Sequence, residues 1–81
     1  MSEEIKQKVI ANCKNDAYKS FGKYTIERKE DIDGWKYFLP DGAWTMIRAR
    51  GTEPVLRVYG QAKDRVAVID LLETVKATLL N

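Results

Sequence analysis

Three tight-turn signals divide the middle of the chain into short segments, and their spacing strongly limits the folds available. The signals are Asp33-Gly34, Pro40-Asp41-Gly42 and Gly51-Thr52-Glu53-Pro54. Glycine and aspartate tolerate the positive φ of tight turns, and such turns join antiparallel strands. The segments between them are rich in aromatic and β-branched residues, as strands are. The sequence therefore predicts four antiparallel strands, KYTIERKEDI, WKYFL, AWTMIRA and VLRVYGQ.

Helical signals flank these strands. Ser2 is predicted to cap a first helix, which ends within residues 14–23 with Gly22 as a breaker, and Asp64 is predicted to cap a last helix. The apolar residues that recur on one face of each helix are Ile5, Val9, Ile10 and Cys13 in the first, and Val68, Leu72, Val75 and Leu79 in the second. The order helix, four strands, helix predicts an α+β two-layer sandwich. In it, both helices cover one face of a four-stranded antiparallel sheet.

The charge distribution points to a compact site for an anion. Of the 14 basic and 12 acidic residues in this 81-residue chain, residues 48–57 hold three arginines and one glutamate. The remainder is neutral, so the whole net charge of +2 lies in this stretch. A protein that coats nucleic acid more often spreads lysine and arginine along a face, which makes nucleic acid an improbable ligand.

Several other classes of protein and site are disfavoured by the sequence. No apolar run reaches the length of a membrane span, and the charged N-terminus does not resemble a signal peptide, so we expect a cytoplasmic protein. The single Cys13 excludes an internal disulfide, and with no histidine a zinc site cannot be assembled. At helical spacing with Ile5 and Val9, Cys13 is expected to be a core residue rather than a nucleophile.

The stretch TMIRARGTEPVLRVYG predicts a phosphate clamp. Arginine forks pair bidentately with phosphate oxygens, and a glycine lets the backbone approach a ligand closely. The predicted phosphate-binding residues are Arg48, Arg50, Gly51, Thr52 and Arg57, with Glu53 and Pro54 shaping the loop. The alternative is that the arginines pair with surface carboxylates, but Glu53 is the one acidic residue within the stretch. Two arginines are therefore expected to lack a nearby partner, which favours the clamp.

The residues IRARGTEPVLRVY resemble the phosphate-binding loop of the phosphoglucomutase/phosphomannomutase family, whose pattern is R-x-S-G-T-E-P-x-x-R. The resemblance covers about residues 20–80. It implies the C-terminal domain of such an enzyme, with a TATA-binding-protein-like fold and a hinge-like N-terminal segment. The domain would then divide into residues 1–22, a sheet over 23–63 and a last helix over 64–81. Arg50 departs from the pattern, because the family has serine there.

The resemblance also implies a division of labour among domains. The loop would hold the non-transferred phosphate of a hexose phosphate, glucose or mannose 1- or 6-phosphate, while other mutase domains supply the phosphoserine and bind Mg²⁺. No catalytic residue, metal ligand or cofactor is then expected in this chain, which should be inactive alone.

The sequence is compatible with other functions and sites. A free-standing binding module for a phosphorylated ligand or a nucleic-acid backbone stays open. Asp31 and Asp33 before Gly34 suggest a calcium loop, but the other ligands at the required spacing are missing. The aromatic residues of the strands could stack on RNA bases, although packing in half-buried strands is the commoner role. Those residues are Trp35, Tyr37, Phe38, Trp44 and Tyr59.

Overall fold

The computed structural model describes residues 3–49 and 56–80, which form two helices and six strands. The elements are α1 (Glu3–Lys14), β1 (Ser20–Phe21), β2 (Tyr24–Thr25), β3 (Arg28–Glu30), β4 (Trp35–Phe38), β5 (Trp44–Ala49), β6 (Leu56–Gln61) and α2 (Arg65–Leu80). A single 3-10 turn, Pro40–Gly42, joins β4 to β5. Within the described ranges no helix is both long and apolar enough to span a bilayer.

The main sheet has four antiparallel strands in the order β3-β4-β5-β6. Its central pairing places Trp35 opposite Ile47, and the pairing of β5 with β6 places Ile47 opposite Val58. Both helices contribute buried residues to the same core. The predicted α+β two-layer architecture is confirmed.

Alternation along the strands decides which sheet face is buried. Tyr37, Thr45 and Ile47 are almost completely buried, whereas their sequence neighbours Lys36, Met46 and Arg48 retain solvent exposure. The helices contribute their own buried apolar residues, Val9, Cys13, Leu71, Val75 and Leu79. Because successive strand residues point to opposite faces, the side chains of Lys36, Met46 and Arg48 lie on the face away from the helices. We call this surface the open face.

The apolar stripe of α2 is shifted by one residue from the predicted one. Val75 and Leu79 are buried as expected, but the third buried residue is Leu71, and Val68 and Leu72 are only half-buried. Residues 71, 75 and 79 follow the i, i+4, i+8 spacing of a single face, which packs directly on the sheet.

The first predicted strand, residues 23–32, is wrong as a continuous element. The chain instead forms a small hairpin of β1 and β2, and only Arg28–Glu30 joins the main sheet. The Tyr24 hydroxyl donates a hydrogen bond to the Asp70 carboxylate at 2.6 Å, which ties this hairpin to α2. That hydrogen bond, together with the Lys23 ammonium, lowers the pKa of Asp70.

A lysine fixes the end of α1. Lys29 of β3 donates a hydrogen bond to the Cys13 carbonyl at 2.9 Å and forms an ion pair with Asp16. A cation at a helix C-terminus interacts favourably with the helix dipole and satisfies a carbonyl that has no partner within the helix. The helix thus ends at Lys14, and Gly22 lies instead between β1 and β2 with a φ of 59°.

The predicted N-cap of α2 is confirmed, since the Asp64 carboxylate accepts a hydrogen bond from the Ala67 amide at 2.8 Å. Replacing Asp64 with alanine removes this acceptor, so we expect the free energy of unfolding to fall by about 1 kcal/mol. Urea denaturation followed by tryptophan fluorescence measures the change. Asp64→Asn is the matched control, because asparagine also caps helices and should stay close to the parent. Equal stability of Asp64→Ala and the parent would contradict the capping role.

Candidate functional site

The described residues include the two arginines that flank the predicted phosphate loop. Arg48 lies near the end of β5 and Arg57 near the start of β6. The other predicted site residues, Arg50, Gly51, Thr52, Glu53 and Pro54, lie outside the described residues.

Arg48 and Arg57 lie side by side on the open face. They are direct Cα partners in the pairing of β5 with β6, and their neighbours Ile47 and Leu56 point into the core. Directly opposed residues of two strands have their Cβ atoms about 4.5–5.5 Å apart, and like charges in this position are destabilising. Two arginines at paired positions on one face therefore concentrate positive charge at this end of the sheet, as a site for an anion requires.

Asp33 partly balances this charge. Nη2 of Arg48 lies 3.2 Å and 3.4 Å from the two Asp33 carboxylate oxygens. Only Glu53 was counted as a local partner for the three arginines, but Arg48 pairs with a carboxylate outside residues 48–57. The partner is 15 residues away along the chain, and the pairing of β4 with β5 brings it close. Within the described residues, Arg57 has no ion-pair partner.

The turn that carries Asp33 is held firmly against β5. Asp33 has a φ of 57° and Gly34 a φ of 130°, as the Asp-Gly signal predicts. A Cβ atom at Gly34 would lie 3.0 Å from the Ile47 carbonyl oxygen, so only glycine allows this approach. The close packing places the Asp33 side chain beside Arg48.

A cavity of about 510 Å³ opens beside the ion pair. Its lining combines both signs of charge with one indole ring and comprises Lys14, Asp31, Asp33, Gly34, Trp35, Arg48 and Ala49. Sequence reasoning did not place Lys14 near the arginines, because Lys14 lies at the end of α1, which is distant along the chain. Among the described residues, no three carboxylate or thiol groups converge to hold a metal ion.

The aromatic residues divide between the two sheet faces. Tyr37 is buried and Trp35 packs against the core, as the packing interpretation requires. Phe38, Trp44 and Tyr59 instead lie on the open face, where Phe38 and Trp44 are half-buried and Tyr59 is exposed. The Arg28 guanidinium stacks 4.0 Å from the centre of the Phe38 ring, and the Lys36 ammonium lies 4.3 Å from that of Trp44.

Cys13 is a core residue, as its helical spacing predicts. It is fully buried, and burial raises the pKa of its thiol. Since the thiolate is the nucleophilic form, a raised pKa makes this cysteine a poor nucleophile. Burial likewise raises the pKa of the neighbouring Tyr37 hydroxyl.

Comparison with known families decides the affiliation of the chain. The family model described as phosphoglucomutase/phosphomannomutase, C-terminal domain, matches residues 3–78. The chain belongs to this family. The resemblance seen in the residues around Arg48 and Arg57 is thereby confirmed, and the match covers α1 and most of α2.

Individual relatives carry the names of several mutases. The chain is 48% identical over 44 residues to a phosphoglucosamine mutase of Methanococcus aeolicus, covering 54% of this chain and 10% of that protein. It is 35% identical over 69 residues to a phosphoglucosamine mutase of Methanocaldococcus jannaschii, covering 75% of this chain and 15% of the relative.

A third relative aligns over most of the chain. This is a phosphopentomutase of Thermococcus kodakarensis, 32% identical over 79 residues, which cover 95% of this chain and 17% of the relative. The chain thus spans only a small part of the curated relatives that it matches. No solved structure gave a significant match.

Proposed function

We propose that this domain binds the phosphate group of a sugar phosphate at the end of the sheet where β5 and β6 are joined. The observation that carries the proposal is the direct pairing of Arg48 with Arg57 on the open face. Since each guanidinium offers up to five donors in a planar fork, two neighbouring arginines can contact several oxygens of one phosphate. Arg50, Gly51 and Thr52 are proposed to complete the site with backbone and side-chain donors.

Within a complete mutase, this domain would hold the phosphate that is not being transferred. A hexose phosphate, glucose or mannose 1- or 6-phosphate, is the proposed ligand, and the other mutase domains are the proposed partners. A site that recognises phosphate rather than sugar suits an intermediate with two phosphates, either of which must be held in turn. We assign no catalytic group to this chain, and the phosphoryl transfer itself is assigned to the other domains.

The expected affinity of the isolated domain is low. About four hydrogen bonds to a charged phosphate contribute roughly 1.5–3 kcal/mol each. The loss of ligand freedom costs about 4 kcal/mol or more, and desolvation of a dianion costs further free energy. The remainder of about 4 kcal/mol corresponds to a dissociation constant near 1 mM. Other domains that hold the sugar would raise the effective concentration of phosphate at the loop.

Ligand-observed NMR with glucose 6-phosphate tests the proposal. We expect saturable binding near 1 mM that weakens with added salt, because salt screens exposed charges. Glucose is the matched control and should not bind, since it lacks the phosphate. Binding of glucose and glucose 6-phosphate with equal affinity, or of neither at tens of millimolar, would contradict a phosphate site.

The open face also supports a second candidate, a nucleic-acid backbone. Positive charge continues along this face away from Arg48, because Arg28 and Lys36 lie there. Their cationic groups contact the rings of Phe38 and Trp44, respectively. Aromatic and cationic side chains on a sheet are one means of binding single strands. A single-stranded oligonucleotide in the same salt series distinguishes the two functions. Release of many counterions gives a steep logarithmic dependence of affinity on salt, whereas one phosphate gives a shallow one.

A further inference from the structure

We propose that Asp33 is an internal competitor of phosphate, which occupies Arg48 when the site is empty and keeps phosphate binding weak and readily reversible. The inference rests on the proposed function and adds to it a residue that sets the affinity of the site. It is carried by the contact between Asp33 and Arg48 and by the way in which the backbone fixes Asp33.

The contact is positioned for exchange rather than for permanent pairing. One guanidinium nitrogen, Nη2 of Arg48, faces both carboxylate oxygens at 3.2 Å and 3.4 Å. Charge-assisted N–H···O bonds are usually about 2.7–2.9 Å long, and arginine binds carboxylates most firmly through two parallel bonds. The side chains of Arg48 and Asp33 are 40% and 70% exposed, respectively. An exposed pair of this kind contributes little to stability, so a phosphate dianion can displace the carboxylate.

The backbone nevertheless keeps the competitor in place. Asp33 lies in the left-handed region, and the following Gly34 packs against the Ile47 carbonyl oxygen with no room for a side chain. Strand β5, which carries Ile47, also carries Arg48. The carboxylate therefore stays at a high effective concentration beside the guanidinium, whether or not phosphate is present.

The charge of Asp33 opposes the ligand even after displacement. A carboxylate beside Arg48 repels a dianion bound at Arg48, and this repulsion persists at the partly exposed end of the sheet. The other charged groups around the cavity, Lys14 and Asp31, offset each other. Among the described residues, two carboxylates line the cavity, and Asp33 is the one that contacts Arg48. Its negative charge offsets the positive charge that Arg48 offers to phosphate.

The test measures the affinity of the full chain for inorganic phosphate after Asp33→Asn. Asparagine tolerates the left-handed conformation as aspartate does, so the turn is preserved while the charge is removed. We expect phosphate to bind about three- to tenfold more tightly at low ionic strength, with the gain shrinking as salt screens the charges. Phosphate is used as the probe because it lacks a sugar that could contact the cavity.

Two controls carry the same change in charge. Asp41 has a φ of 62° and lies in the 3-10 turn at the other end of β5, so Asp41→Asn should leave the affinity for phosphate unchanged. Asp31 lines the cavity without an ion pair to a described residue, and Asp31→Asn should tighten binding by less than about twofold. Unchanged chemical shifts of core amides in each variant would verify the fold.

The phosphate affinities of the parent and the three variants distinguish the competitor role from its alternatives. Unchanged or weaker binding by Asp33→Asn overturns the competitor role, and weaker binding would make Asp33 a residue that positions Arg48. Equal tightening by Asp31→Asn and Asp33→Asn overturns it too, because removal of any negative charge near the cavity would then have the same effect on phosphate binding. Absence of phosphate binding in the parent and in all variants overturns the proposed function itself, and this result is distinct from the other two.

Discussion

Replacing Arg48 with glutamine is expected to raise the dissociation constant for glucose 6-phosphate by about 10- to 100-fold. The substitution removes a charged donor that faces the ligand, and a hydrogen bond to a charged group contributes roughly 1.5–3 kcal/mol. Starting from about 1 mM, binding would move beyond 10 mM. Arg48→Lys should recover only part of the affinity, since lysine keeps the charge and loses the planar fork. A titration of each variant followed by NMR measures the loss.

Arg28→Gln provides the matched control for this experiment. Arg28 is an exposed arginine of the open face. It pairs with Phe38, which pairs with Trp44, so Arg28 lies at the opposite end of the sheet from Arg48. Its removal changes the net charge by the same amount. A similar loss of affinity in both variants would show that phosphate responds to the overall charge of the sheet and not to Arg48.

Replacing Phe21 with alanine is expected to lower the free energy of unfolding by about 3–5 kcal/mol. Phe21 is completely buried, and its ring centre lies 5.1 Å from that of Tyr37 and 5.7 Å from that of Tyr18. The substitution leaves a cavity at the centre of an aromatic cluster. A chain of 81 residues has a total stability of roughly 4–12 kcal/mol, so the variant should be partly unfolded at physiological temperature.

Urea denaturation measures this loss, and Ile32→Ala is the control. Ile32 is 77% exposed, so removal of its apolar side chain should change stability by less than about 0.5 kcal/mol. Comparable stability of Phe21→Ala and Ile32→Ala would contradict the packing of β1 into the core.

The central part of the fold could be predicted because local signals and long-range pairing agree there. Asp33-Gly34 and Pro40–Gly42 both adopt turns with positive φ, and β4, β5 and β6 begin and end within one residue of the predicted strands. Hairpin pairing links neighbours along the chain, so a turn residue and an alternating segment together predict the contact.

The N-terminal part was harder to predict because its contacts are distant in sequence. Phe21 follows a polar stretch, and nothing in its neighbours indicates that two residues form a strand under α2. The predicted strand 23–32 fails because residues 24–25 pair with β1 while residues 28–30 pair with β4. Alternation alone does not reveal such a change of partner.

In the candidate site, too, the contacts between residues distant in sequence could not be predicted. The pattern R-x-x-G-T-E-P-x-x-R predicts which residues face the phosphate, and pairing of β5 with β6 places Arg48 and Arg57 together as expected. The contact of Asp33 with Arg48 could not be predicted, because it depends on the position of the β3–β4 turn beside β5. Glu53 is the one carboxylate within residues 48–57, whereas the carboxylate that pairs with Arg48 belongs to Asp33, in the turn between β3 and β4.

The most direct test of the phosphate site is a map of amide and arginine Nε–H chemical shifts during titration with glucose 6-phosphate. We predict that the shifts concentrate on residues 48–57, including the side chains of Arg48 and Arg57, and saturate with a dissociation constant near 1 mM. If these resonances stay unchanged at tens of millimolar ligand while another surface responds, the arginine pair of β5 and β6 is not the phosphate site.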